Sequence, residues 1–594
     1  MSDIERWQEA AAPWAVEPGY FDVEGRRQDA GAETLRRVIE ALSVSGVAPA
    51  AIDDQRPEPQ PAYQGDGRRA WVLAVQLYAV RSRRNWGHGD FTDLAALLGC
   101  VADLGGAGIG LNPLHALRYD CSASGSPYAP NSRLFLNPLY IDVEVVEEFA
   151  GADAFTAEIE RLRQADLVDY LAVARLKLAG LQRAYRVFAV SGSSTRRRDF
   201  EAYRRERGRA LEYFTAFETL RGRYAGAWWQ WSEPWSCPEA AVEQLQRDAP
   251  DALAFHAYLQ WNAERQLASC RDIAKRRGLA IGLYLDTAIG VDAGGADAWM
   301  DRRAMLRGLS VGAPPDRFNP AGQDWGLTTY NPHGLIAEAF EPFRQMLRAA
   351  MRYAGALRID HVLGLMRLFI IPHGLGPAAG AYLRMPFAAM LAVVAEESRR
   401  WNCVFVGEDL GTVPENFRQA LWSWGVWSYL VMLFERRGDG GFRKPADYPA
   451  LAVATFNTHD LPTFAGWMSG ADLGVKRQIG VDPGESDDER WRSRDALLAA
   501  LEASTGSRAG RFDDVVSFLA STPARLVSVA IEDVLGEAEQ INIPGTVEQY
   551  PNWRRRWPVA LEELGGDERL HRIAAILAKA GRGSDATVTR SDQS

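Results

Sequence analysis

The sequence predicts an α/β fold, a (β/α)8 barrel with long insertions, and three observations carry that prediction. Short apolar runs bounded by turn residues alternate with longer helical patterns, eight such runs occur, and no Gly-rich phosphate fingerprint opens any helix. The last observation argues against a doubly wound open sheet. The eight candidate strands are residues 71–80, 108–114, 278–286, 356–365, 403–411, 428–434, 452–460 and 540–544.

Taken in order, residues 1 to about 48 read as one or two helices, and a proline-rich stretch follows them as a linker or surface-draped arm, so that 1–68 precede the barrel. The barrel and its insertions occupy 69–580. The second and third candidate strands are too far apart for one helix, and about 143–270 is dense in helix formers, so a mainly helical subdomain is expected there. A second excursion, about 289–332, is rich in Gly and Pro with little periodicity and is expected as a long ordered loop over the barrel mouth. Residues 581–594 are small and polar, and a disordered tail is expected.

Composition bounds the partners. Hydrophobic residues make up 47% and charged residues 24% of the 594 residues, the balance of a soluble globular protein. The net charge of -10 is spread along the chain without a basic block that could track phosphates, so nucleic acid is not an expected partner. Residues 1–19 hold no signal-like apolar run, and nowhere do eighteen uncharged apolar residues follow one another; a cytoplasmic protein with no membrane partner is expected. The five cysteines form no C-x-x-C pair or zinc-like spacing and are expected as reduced, mostly buried thiols. Of the nineteen Trp, most are expected in the core and the remainder as flat platforms for sugar rings.

Three candidate strand ends finish in a carboxylate: Asp360 in ALRIDHV, Glu408 in VFVGEDLG and Asp460 in TFNTHDLPT. At the carboxyl ends of barrel strands such side chains converge on one cleft. Cleaving an acetal with retention needs an acid for the leaving oxygen and a carboxylate nucleophile about 5 Å away. Arg358 lies two residues before Asp360, and strand alternation puts both on one face. A guanidinium keeps its neighbour ionised, so Asp360 is the natural nucleophile and Glu408 the natural acid/base. His459 is assigned to sugar hydroxyls, and His361 stays undecided. Asp286, Asp292 and Asp409 could offer oxygen to calcium, but no EF-hand spacing supports it; neither metal nor cofactor is expected. Taken singly, each of these acids is more ordinarily a helix cap or the partner of a structural arginine.

Several further motifs occur in order: QLYAVRSRRNWGHGDF from Gln76, GLNPLHAL from Gly110, SPYAPNSRLFLNPLY from Ser126, SVGAPPD from Ser310, GQDWG from Gly322, then NIPGT and YPNWRRR. With the three carboxylate motifs, and over about 71–557, the sequence closely resembles the 4-α-glucanotransferase family, also called amylomaltase or disproportionating enzyme and related to the α-amylases. The resemblance implies transfer of α-1,4-glucan segments between maltooligosaccharides by a retaining double displacement. Asp360 then matches the nucleophile, Glu408 the acid/base and Asp460 the third carboxylate, which holds sugar hydroxyls and stabilises the transition state. Tyr128, Asp286, Arg358 and His459 match sugar-binding positions, and Gln323, Asp324 and Trp325 a loop on the acceptor side. His88, Leu285 and Thr287 depart from the family's usual residues. The rival readings are an α-glucan hydrolase of the same barrel type and a catalytically silent glycan-binding protein, the latter disfavoured because all three carboxylates are present.

Overall fold

Eight parallel strands close into a barrel in strict chain order: β1 (Ala70–Val75), β2 (Gly108–Leu111), β3 (Gly282–Thr287), β4 (Ala356–Ile359), β5 (Val404–Gly407), β6 (Trp427–Val431), β7 (Ala452–Thr455) and β8 (Leu526–Ala530). The structure is a computed structural model and describes residues 2–22, 25–52, 57–119, 125–315, 321–411 and 413–583. Helices cover the outside of the sheet, so barrel strands are buried on both faces and their sequences read as near-continuous apolar runs. All six residues of β3 and all four of β4, β5 and β7 are buried.

Seven of the eight expected strands fall where the apolar runs lie, but the eighth does not. Residues 540–544 form no strand; their polar backbone instead meets side chains, as where Tyr550 Oη donates to the Gln540 carbonyl at 2.6 Å. The eighth strand is the run Leu-Val-Ser-Val-Ala of β8, in register with β1. That run is short and flows straight into the helix Ile531–Leu535, so periodicity alone merges it with its helical neighbour.

Register fixes the height of the strand ends. In adjacent β3 and β4, Asp286 pairs with Arg358, and in β4 and β5, Ile359 pairs with Gly407. Asp360 and Glu408 each follow by one residue, so both leave the barrel at the same level on its carboxyl-terminal rim.

Among the described residues five α-helices lie between β2 and β3, Thr156–Gln164, Tyr170–Ser191, Ser194–Arg221, Pro238–Asp248 and Pro250–Arg276, the last leading into β3. The 289–332 stretch carries more order than its composition suggests. Its strands Val291–Asp292, Leu309–Ala313 and Gln323–Thr328 join Arg367–Pro372 and Ala381–Arg384 in a five-stranded antiparallel sheet. Sheet pairing supplies through long-range hydrogen bonds the order that local propensity lacks.

The amino-terminal part contains the helices Asp3–Ala11 and Ala32–Ser43 and also a hairpin, Gly19–Phe21 with Arg27–Asp29. It packs on the five-stranded sheet: Glu17 N–H donates to the Tyr382 carbonyl at 2.8 Å, and Thr34 Oγ1 to the Ala379 carbonyl at 2.9 Å. Just after the proline-rich segment the chain meets the barrel, where Ala62 N–H donates to the Trp424 carbonyl at 2.8 Å. Near the other end, buried Arg582 donates from Nη2 to the Thr522 carbonyl at 2.7 Å, and the rest of the expected tail, 584–594, lies outside the described residues. Of the described cysteines, Cys270 and Cys403 are buried and Cys100 and Cys237 partly exposed, all as free thiols; Cys121 lies outside the described residues. Among the described residues no helix is long and apolar enough to cross a membrane.

Candidate active site

A cleft of about 1350 Å³ opens at the carboxyl-terminal rim of the barrel, and Asp360, Glu408 and Asp460 all line it. Arg358 is its electrostatic centre. Its Nη1 donates to both oxygens of Asp286, at 2.9 and 2.7 Å, and its Nη2 donates to Asp360 Oδ1 at 2.9 Å while lying 4.0 Å from Glu408 Oε2. Burial works against the charge on Arg358, but Asp286 and Asp360 hold it firmly protonated.

Glu408 has a different environment. Its Oε2 accepts the His361 backbone N–H at 2.9 Å and its Oε1 that of Leu410 at 2.8 Å, which fixes the carboxyl group without giving it a close cation. Burial pushes its pKa up to about 7; Arg358 opposes the rise and the charge of Asp360 adds to it. Two carboxyl groups near one guanidinium nitrogen are thereby set apart, one in direct contact with the cation and one that keeps its proton up to about pH 7. His361 reaches its role through the backbone: it adopts a left-handed φ of 50° that turns its N–H toward Glu408, while its ring meets Trp325 edge-on, with centroids 5.3 Å apart.

Asp460 stands across the cleft. Its Oδ1 accepts from Asn542 Nδ2 at 2.5 Å and its Oδ2 lies 3.4 Å from His459 Nε2. Burial alone would raise its pKa, but His459 and Asn542 outweigh it and hold the carboxyl below its ordinary value. His459 stacks on Tyr128 with ring centroids 4.5 Å apart and planes 24° from parallel, and Trp553 leans on both rings. Tyr128 Oη donates to Asp286 Oδ2 at 2.6 Å and accepts from Asn112 Nδ2 at 3.2 Å. One chain of contacts therefore runs from Asp460 through His459, Tyr128 and Asp286 to Arg358.

Gln323, Asp324 and Trp325 overhang the same cleft from the antiparallel sheet, where the register slips between Asp324 and Leu327. Gln323 Oε1 accepts from Trp325 Nε1 at 3.2 Å, which sets the angle of the indole. Of the ten residues singled out from sequence, nine line this cleft; Asp286 lies just beneath, where it lines a smaller cavity inside the barrel. Sequence reasoning missed Asn112, Tyr429, Asn542 and Trp553. Tyr429 lies 5.4 Å under the Arg358 guanidinium. Asn112, Asn542 and Trp553 stand in three of the ordered motifs, which was the available signal, but assigning 540–544 to a strand hid the approach of Asn542 to Asp460.

The three aspartates considered for calcium are each engaged by an arginine: Asp286 by Arg358, Asp292 by Arg118 at 2.9 Å and Asp409 by Arg418 at 2.8 Å. Among the departures, His88 is fully buried with Nδ1 against the Gly89 carbonyl at 2.9 Å, and burial lowers its pKa, so it packs as a neutral ring away from the cleft. Leu285 lines the small inner cavity. The Thr287 carbonyl accepts the Asp360 backbone N–H at 3.0 Å and helps to place that carboxylate.

Comparison with known proteins agrees across sequence and structure. Residues 75–561 match a family model described as 4-alpha-glucanotransferase. A 4-alpha-glucanotransferase of Mycobacterium bovis is 38% identical over 555 residues, covering 87% of this chain and 75% of that protein. That of Haemophilus influenzae is 36% identical, covering 86% of this chain and 79% of its own length. The crystal structure of amylomaltase from Corynebacterium glutamicum superposes with a TM-score of 0.84 at 26% identity, covering 98% of this chain and all of that one. An amylomaltase from Streptococcus agalactiae in complex with acarbose shares the fold, with a TM-score of 0.71 at 19% identity over 87% of this chain and all of that one.

Proposed function

The chain belongs to the 4-alpha-glucanotransferase family, and from that premise we propose how its cleft moves α-1,4-glucan segments from one maltooligosaccharide to another. The observation that carries the proposal is the unequal hold of Arg358 on the two carboxyl groups, 2.9 Å to Asp360 against 4.0 Å to Glu408. Asp360, in direct contact with the Arg358 guanidinium, attacks the anomeric carbon of the donor and forms a glycosyl ester. Glu408, whose proton burial retains up to about pH 7, gives it to the leaving glycosidic oxygen. A hydroxyl of the acceptor chain then loses its proton to Glu408 and attacks the ester, which restores both carboxyl groups and retains the configuration.

Asp460 accepts hydroxyl hydrogens of the distorted ring at the point of cleavage, with His459 and Asn542 holding its charge in place. Tyr128 offers a ring face to the same sugar, and Asp286 anchors Arg358 from below. Trp325 covers the acceptor side, where excluding water lets a sugar hydroxyl win over hydrolysis. We assign this activity to the cytoplasm, on the free thiols of Cys100, Cys237, Cys270 and Cys403; fractionation of the native host tests that placement.

The function is tested by incubating the purified protein with maltotriose and following the products. Glucose with longer maltooligosaccharides is the expected outcome, whereas glucose and maltose without longer products would establish a hydrolase. Asp360→Ala abolishes the ladder while circular dichroism stays unchanged; retained transfer would sink the assignment of the nucleophile.

A further inference from the structure

Apart from the cleft, a cavity of about 560 Å³ opens where the amino-terminal arm meets the barrel insertions, a volume within the ~300–1,000 Å³ of ordinary ligand pockets. Ala41 of the helix Ala32–Ser43 and Val44, which caps it, form one wall and the turn Trp228–Gln230 another. Trp228 is buried and fixed, its Nε1 donating to the Ala293 carbonyl at 3.0 Å. Trp229 stands edge-on to it, with centroids 5.4 Å apart, and keeps 50% of its surface exposed. A single exposed indole is ordinary, but this one lines the same cavity as an unused cation.

Arg307 lies over Trp228 at 5.3 Å, and among the described residues no hydrogen bond or ion pair engages its guanidinium. Burial lowers its pKa, as expected of a partly desolvated cation that lacks a counter-charge. Arg36 and Arg37 also line the cavity, but Glu33 and Glu40 already neutralise them. The pocket therefore presents an indole face and free N–H donors, with its lining carboxylate, Glu40, already taken up. Pyranose rings offer the complement, a flat C–H face for the indole and hydroxyl oxygens that accept from a guanidinium.

The position adds the link to catalysis. Ile289 lines the catalytic cleft and Ala293 lines this cavity, and the four residue-to-residue steps from one to the other span at most about 14 Å. A glucan of many units leaving the cleft can cover that distance, whereas a trisaccharide seated at the carboxylates has fewer units with which to reach it.

We propose that the Trp229–Arg307 cavity is a second α-glucan-holding site, which grips a distal stretch of a long chain whose reacting end lies in the cleft. The choice of ligand class rests on the reading of the cleft as a glucanotransferase site. The test uses Trp229→Ala and Arg307→Gln in the full chain, each checked by circular dichroism. Initial rates on amylose and on maltotriose, and retardation in native gels cast with amylose, are compared with the parent. Expected are a KM for amylose raised about five- to tenfold, weaker retardation, and kcat/KM for maltotriose unchanged within about twofold. Unaltered amylose KM and retardation in both variants overturn the proposal. So does a calorimetric signal for inorganic phosphate that Arg307→Gln abolishes while amylose retardation persists, since the cavity would then be an anion site. Should the parent leave maltotriose unchanged, the reading of the cleft falls, yet loss of gel retardation in Trp229→Ala still supports the second site and its persistence still overturns it.

Discussion

Arg358 and Asp360, two residues apart along one strand and the turn that follows it, are joined by a 2.9 Å hydrogen bond inside the barrel mouth. Strand alternation makes the contact possible, and the neighbouring strand makes it rigid, because Asp286 grips the other guanidinium nitrogen through both of its oxygens. The nucleophile is thus held by a cation that is itself held, which is how a site on strand ends keeps tight geometry.

Replacing that cation with a smaller one exposes the dependence. Arg358→Lys keeps one positive charge but loses the fork that reaches Asp286 and Asp360 together. Expected are a fall in kcat/KM for maltotriose of about a hundredfold or more and a loss of roughly 1–3 kcal/mol in urea unfolding, because buried Asp286 loses part of its hydrogen bonding. Parental kinetics in the lysine variant would contradict the central role given to the fork.

The acid role of Glu408 sets a pH dependence. With a pKa of about 7 in the folded enzyme, it is protonated below that pH and loses its proton above it, so kcat/KM falls on the alkaline side with a midpoint near 7. Stability moves in the same sense. Between its ordinary value of 4.5 and about 7 the folded state binds the proton more tightly than the unfolded chain, so this group's contribution is full below that window and is lost as pH rises through it. Glu408→Gln, inactive on maltotriose, still releases fluoride from α-maltosyl fluoride, whose leaving group needs no acid; no fluoride release would argue against the acid role.

Asn542 donates to Asp460 at 2.5 Å from a loop distant in sequence. Removing it in Asn542→Ala takes away one of the influences that keep the Asp460 carboxyl low, so the acid limb of the kcat/KM profile moves to higher pH and kcat falls about tenfold or more. An unmoved acid limb would mean that Asp460 is held by His459 alone.

Trp325 rests edge-on against His361 and overhangs the cleft. Trp325→Ala is expected to raise glucose release relative to longer products from maltotriose by about threefold or more, because water then reaches the glycosyl ester more easily. An unchanged product ratio would move the duty of excluding water to another part of the mouth.

The sequence by itself determined the barrel class, seven of its eight strands, the places of Asp360 and Glu408 at strand ends and the pairing of Arg358 with Asp360, whereas Asp460 stands on a loop five residues beyond its strand. Each of these is local: buried parallel strands must be apolar along their length, and residues two apart on a strand must share a face. Only the tertiary structure decided that Asn542 reaches Asp460 across 82 residues, that Tyr128 stacks on His459, and that Ile289–Ala293 runs between two cavities. Those relationships arise from barrel closure and from sheet pairing between distant loops, and no periodicity within a window of sequence encodes which loops the closed barrel brings together.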